Sequence, residues 1–204
     1  RCSKVWKTRL VKARYREESV ADEFRKDTIV RWSASKYLAR IAERLPESSS
    51  HEIVEALLGT FDEADEIHPS ENAWQGACLA LAELARRDRI PEELVGPLLD
   101  CVLRVRPRFT FPYPFLADSE TQALLFDRKR GVQSIGAGVR DAAAYVLWSL
   151  ARTLRSSQVE PHSTPLAVHL VAVSLFDREI QIRRAASAAF QESVGRWVSP
   201  SLQI

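Results

Sequence analysis

The residues of this chain best suited to metal or covalent chemistry are three cysteines, Cys2, Cys78 and Cys101, and four histidines, His51, His68, His162 and His169. Structural zinc sites draw these ligands from closely spaced pairs, and no histidine stands at such a spacing from a cysteine. His162 and His169 are seven apart on one expected helix, too far for the i,i+4 pair of a helical metal site. A nucleophilic thiol needs a base beside it. None is evident for Cys78, in an alanine-rich stretch, or for Cys101, in an amphipathic one, so both read as small buried hydrophobes. Gly131, Gly136 and Gly138 in GVQSIGAGVRD fit neither the Walker spacing nor GxGxxG, and no strand precedes them. They read as a turn delivering the chain into a helix. No nucleophile, base and orienting group converge, so the chain is expected to be no enzyme and to carry no cofactor or metal.

One charged residue does recur with a pattern. VRWSASKYLARIAERLP, VRDAAAYVLWSLART and IRRAASAAFQESVGR each open with an aliphatic residue followed by an arginine: Arg31, Arg140 and Arg183. An arginine repeated in this way is either a binding residue or a structural peg. In two rows an aspartate precedes it closely, Asp27 before Arg31 and Asp177 before Arg183. An aspartate in a turn accepts hydrogen bonds from the open N–H groups of a helix start and pairs with an arginine opening a neighbouring helix. Asp27, Arg31, Arg140, Asp177 and Arg183 are therefore expected to form a structural ladder, with Arg140 and Arg183 bonded to carboxylates near the turns.

The elements that would hold this ladder follow from periodicity. Aligned on Val30, Ala73, Val139 and Ile182, the rows share Ala34, Ala77, Ala143 and Ala186 four residues on. Leu38, Leu81, Leu147 and Phe190 follow, then Ala42, Ala85, Ala151 and Val194. Offsets of four make one stripe on a helix, and small residues in it admit a close neighbour. The starts are 43, 66 and 43 residues apart, the period of two-helix solenoid repeats. The excess in the middle fits RVRPRFTFPYPFLADSETQA, residues 104–123, whose prolines exclude a helix interior. Each alanine-rich helix has an expected partner before it. These are HEIVEALLGTF, EELVGPLLDCVLRV, PHSTPLAVHLVAVSLF and, less regularly, KVWKTRLVKARYREESVADEF.

The predicted fold is all-α without β-sheet, a HEAT/armadillo-type α-solenoid of about four helix pairs with one long inserted loop. Residues 1–204 are read as a single solenoid. Its repeats fall at approximately 5–46, 51–87, 92–153 with the insertion 104–123, and 161–196. A hydrophobic content of 46% supports a core, and a formal net charge of +2 gives no global pull toward nucleic acid or membrane. The sparse, odd cysteine count suits a reducing compartment. The longest apolar run is too short for a membrane span. With no methionine, the chain is expected to be an internal piece of a larger protein.

The segments DTIVRWSASKYLARIAERLP, AWQGACLALAELARR, FDRKRGVQSIGAGVRDAAAYVLWSLAR and FDREIQIRRAASAAFQESVGR resemble, in order, the central HEAT region of the tubulin-folding cofactor D family. The third and fourth are the most specific. The proline-aromatic insertion and the basic residues 1–16 depart from the family pattern. The resemblance implies a cytoplasmic, cytoskeleton-associated chaperone scaffold. It would take up β-tubulin, join it with α-tubulin as the αβ-tubulin heterodimer, work with other tubulin-folding cofactors and bind an Arf-like small GTPase. GTP hydrolysis by tubulin would be stimulated with an arginine finger from a different cofactor.

Two further surfaces stand out as candidates for partner binding. The insertion carries Phe109, Phe111, Tyr113 and Phe115, which are costly to expose unless they fold back or meet a partner. Asp127, Arg128 and Arg130 follow as a charged cluster. The basic start reads as a solvated face ahead of a nucleic-acid arm or a patch for an acidic partner. A generic protein-interaction scaffold is the competing reading. A nucleic-acid-binding solenoid would want basic and aromatic side chains once per repeat, and the inner helices offer mostly Ala, Leu and Ser.

Overall fold

The computed structural model describes residues 27–62, 71–103, 124–125, 129–130, 133–134 and 136–197. Its helices are α1 (Thr28–Ala42), α2 (Glu47–Asp62), α3 (Glu71–Ala85), α4 (Glu92–Leu103), α5 (Ala137–Thr153), the short α6 (Ser156–Val159), α7 (Ser163–Phe176) and α8 (Ile180–Trp197). A 3₁₀ turn, Glu160–His162, joins α6 to α7, so His162 and His169 do not share one regular helix.

Local chemistry sets the helix ends. The Asp27 carboxylate accepts the Ile29 N–H at 2.8 Å and starts α1. Pro46 separates α1 from α2, and Pro91 precedes the first turn of α4. Asp88 closes α3 with φ at 54°, while the Arg89 N–H reaches back to the Leu84 carbonyl at 3.0 Å. This is a left-handed helix stop, a position glycine usually holds. Asp177 ends α7, and its carboxylate accepts the Glu179 N–H at 2.8 Å ahead of α8.

The alanine-rich helices α1, α3, α5 and α8 pack successively into one layer. The helices α2, α4 and α7 form the second layer, with α2 against α3 and α7 against α8. Small side chains explain the close contact: Ala77, Ala143 and Ala186 are buried, as are Leu81, Leu147, Ala85 and Ala151. The outer layer contributes Val54, Leu98, Leu99, Val102, Leu166 and Leu170 to the same core.

The buried stripe departs from a strict offset of four in the outer rows. In α1, Val30 and Ala34 are exposed, and the buried positions are Ser35, Ala39 and Ala42. In α8 the stripe runs Ile182, Ala186, Ala189, Ser193, leaving Val194 exposed. Each step of four overshoots a 3.6-residue turn by about 40°, so three steps roll a side chain about 120° off the starting face. Only α5, packed between α3 and α8, buries its whole row of Val139, Ala143, Leu147 and Ala151.

One two-residue strand pair stands beside the helices of this all-α fold. Lys129–Arg130 pairs antiparallel with Gln133–Ser134, Lys129 opposite Ser134 and Arg130 opposite Gln133. Two residues, Gly131 and Val132, separate the strands.

Candidate binding face and the arginine positions

The recurring arginines take three different partners. Arg140, at the start of α5, is fully buried. Its Nε donates to Asp177 Oδ2 at 2.9 Å and its Nη2 to Asp177 Oδ1 at 3.2 Å. The pair is bidentate and crosses from α5 to the turn before α8, with the two side chains 0% and 2% exposed.

Arg31 instead meets a carboxamide: its Nε and Nη2 donate to Gln75 Oε1 of α3 at 3.0 and 2.6 Å. Arg183 corrects the expectation of a carboxylate partner. Its Nη1 donates to the main-chain carbonyls of Asp177 at 2.8 Å and Arg178 at 3.3 Å. The physical reason is that the Asp177 carboxylate is already engaged by Arg140 and the Glu179 N–H. In the α3 row, Trp74 holds the position that arginine holds elsewhere, and it is buried.

Glycines make room for this network. A Cβ on Gly138 would stand 2.8 Å from Gln75 Nε2, and Gln75 is held by Arg31. In the interior of α2, Gly59 has nothing within 4 Å of such a Cβ. Gly59→Ala should therefore stabilise the chain by about 0.5–1 kcal/mol. Gly138→Ala should forfeit that gain by displacing Gln75. Urea unfolding midpoints of the two variants check the contrast.

A second network links α1, α3 and α5 of the alanine-rich layer. Glu83, near the end of α3, is only 1% exposed. It accepts from Arg87 Nη1 at 2.6 Å and from the Tyr145 hydroxyl at 2.8 Å. Arg86 Nη1 donates to the Tyr145 oxygen at 3.0 Å. Burial pushes the Glu83 carboxyl up, but hydrogen bonds from Arg87 and Tyr145 and the charges of Arg86 and Arg87 outweigh it and hold the group below the usual carboxylate range.

A depressed folded-state value contributes stability above the unfolded carboxylate range and loses it as pH falls through the folded value. The chain should thus soften as pH drops below about 4. Glu83→Gln should reduce that dependence, measured as unfolding midpoint against pH.

Tyr145 links this cluster to aromatic rings. Its centroid lies 5.2 Å from that of Trp32 on α1 and 5.9 Å from that of Trp148 on its own helix. Lys36 Nζ sits 5.0 Å over the Trp32 ring and Arg152 Cζ 4.8 Å over the Trp148 ring. Rings from α1 and α5 thus meet across the intervening α3, whose Leu79 and Glu83 are buried there. Spacing builds the row: Trp32, Lys36 and Arg40 lie four apart, and Tyr145, Trp148 and Arg152 lie three and four apart. Sequence reading scored these helices for their alanines and missed this stripe, whose aromatic and basic periodicity was available.

Phe109, Phe111, Tyr113, Phe115, Asp127 and Arg128 lie outside the described residues, as do residues 1–26. Arg130 is described only as backbone in the short strand pair. His51 stands 3.4 Å from Glu93 and 3.5 Å from Glu55. Among the described residues, no group of three or more His, Cys, Asp or Glu side chains is placed to hold a metal ion. Cys78 is buried, and desolvation pushes its thiol pKa far up, with Cys101 adding to the effect, which disfavours the reactive thiolate. No helix among the described residues is long and apolar enough to cross a membrane.

Two stacked layers of helices, alanine-rich on one side and aliphatic on the other, with a bidentate Arg–Asp pair between successive units, define an α-solenoid of the armadillo/HEAT class. The chain belongs to the family described as Tubulin-specific chaperone D-like, ARM repeats, which it matches over residues 18–105 and 115–200. The match leaves out residues 106–114, within the proline-aromatic insertion, and residues 1–17 and 201–204.

Curated relatives include "Tubulin-specific chaperone D" of Dictyostelium discoideum, 41% identical over 172 residues, covering 84% of this chain and 10% of the relative. "Tubulin-folding cofactor D" of Schizosaccharomyces pombe is 31% identical over 186 residues, covering 85% of this chain and 15% of the relative. The chain therefore spans only between 10% and 15% of the length of these relatives. No solved structure matches it significantly.

Proposed function

We propose that this chain is a scaffold and binding segment of a tubulin-folding chaperone. It helps hold β-tubulin while the αβ-tubulin heterodimer is assembled, alongside other tubulin-folding cofactors and an Arf-like small GTPase, in the cytoplasm and in association with the cytoskeleton. The observation that carries this reading is the family match on both sides of the insertion, supported by relatives whose names specify tubulin folding. The architecture fits a scaffold: the recurring arginines serve packing. The segment presents two surfaces, the aromatic–basic face of the alanine-rich layer and the insertion with its neighbours Asp127, Arg128 and Arg130.

The test is affinity capture of purified tubulin, and separately of the Arf-like GTPase, by the full-length protein and by this chain. Capture of tubulin by both supports the reading. Capture of neither partner by the full-length protein overturns it. For the insertion, deleting residues 106–120 in the full-length protein should leave helicity intact and weaken capture of tubulin or of a cofactor. Unchanged capture together with unchanged stability would make the insertion irrelevant to binding.

A further inference from the structure

The aromatic–basic face has a chemistry of its own, independent of which client the chaperone carries. Trp32, Tyr145 and Trp148 form one continuous, partly exposed row across α1 and α5. The row is fixed in place: the Tyr145 hydroxyl is tied to Glu83 and Arg86, and all three rings pack on the core. Such a platform is ordered before any partner arrives, so little entropy is lost on binding.

The charges around it are unbalanced. Lys36 and Arg40 lie over aromatic rings, and among the described residues neither makes an ion pair with a carboxylate. Arg86, Arg152 and Arg196 are each nearly half exposed. The carboxylates nearby are largely committed. Glu83 is buried against Arg86 and Arg87, and Glu192 is shared by Arg152 at 3.6 Å and Arg196 at 2.7 Å. Asp141, one turn before Tyr145, is exposed and remains a negative charge on this helix.

We propose that this face binds an acidic, extended peptide segment of a protein partner. Carboxylates of the peptide pair with Lys36 and Arg152 at the two ends of the row, and an apolar or aromatic side chain between them covers Trp32, Tyr145 and Trp148. Cations seated on ring faces suit this role. Their charged heads lie over the indole faces, beside the rings that the peptide's apolar side chain would cover. The spacing of the two cations on α1 and α5 selects a peptide that crosses the helices rather than one lying along a single helix.

The experiment titrates the full-length protein into a fluorescein-labelled peptide of about a dozen residues, rich in glutamate with one central phenylalanine, followed by anisotropy and tryptophan fluorescence. The proposal expects saturable binding that weakens with added salt and changes tryptophan emission. It expects at least about a tenfold loss of affinity in Lys36→Glu/Arg152→Glu. Because Arg152→Glu faces Glu192, the milder Lys36→Gln/Arg152→Gln is measured beside it, with helicity checked for both, and should also weaken binding. A peptide with glutamine for every glutamate should not bind. Equal binding of the glutamine peptide, or unchanged affinity in both folded double variants, overturns the proposal. So does tighter binding of a single-stranded oligonucleotide of equal charge, lost in the same variants, which would make the face a nucleic-acid site.

Discussion

Replacing Arg140 with alanine is expected to destabilise the chain by about 3–5 kcal/mol, the cost of leaving one partner of a buried pair uncompensated. The Asp177 side chain is 2% exposed, so water cannot replace the guanidinium without opening the turn between α7 and α8. The loss should not be recovered by lysine, which cannot supply the two parallel bonds from Nε and Nη2. It should be largely recovered by combining Arg140→Met with Asp177→Asn. That pair removes both charges and keeps an acceptor for the Glu179 N–H. Urea unfolding followed by helical circular dichroism measures all three. A single alanine variant as stable as the parent would show that the pair does not hold the repeats together.

Ala143→Leu is the second large effect, about 1–3 kcal/mol through overpacking. Ala143 is 0% exposed on an alanine-rich helix packed between two others, α3 and α8, so its neighbours have no free side to yield toward. Ala77→Leu, on α3, should behave similarly. Ala34→Leu is the control: it belongs to the same aligned column but is exposed, and it should be close to neutral. Equal melting temperatures for Ala143→Leu and Ala34→Leu would show that the alanine column does not mark helix contact.

The contrast between those two alanines shows how far the sequence carries. A period near 43 and the repeated small residues were enough to place the four alanine-rich helices and, among the described residues, three aliphatic partners. Periodicity counted in fours could not show where a helix turns its stripe away from the stack, because the 3.6-residue turn accumulates its drift over the row. The arginine column was visible, but its partners were not. Which acceptor each guanidinium meets depends on which carboxylates are already engaged, as at Asp177, and on a neighbour such as Gln75 that comes close only after folding. The aromatic row lay in plain sight as Trp32, Tyr145 and Trp148. Its meaning appears only when α1 and α5 bring their rings together across α3, a contact between residues 113 positions apart in Trp32 and Tyr145. The strand pair at Lys129–Arg130 and Gln133–Ser134 was missed because two paired residues leave no alternation to detect.

The most direct test of the account is site-specific photo-crosslinking in the full-length protein, since the central claim is that this segment contacts the client and is no mere spacer. A photoreactive residue is placed in turn at Lys36 on the aromatic–basic face, at Phe115 in the insertion, and at Glu52 on the outer layer, and each variant is illuminated with tubulin. The account predicts a β-tubulin adduct from position 36, position 115 or both, and none from position 52. Retained tubulin with no adduct from either position 36 or position 115 would contradict it.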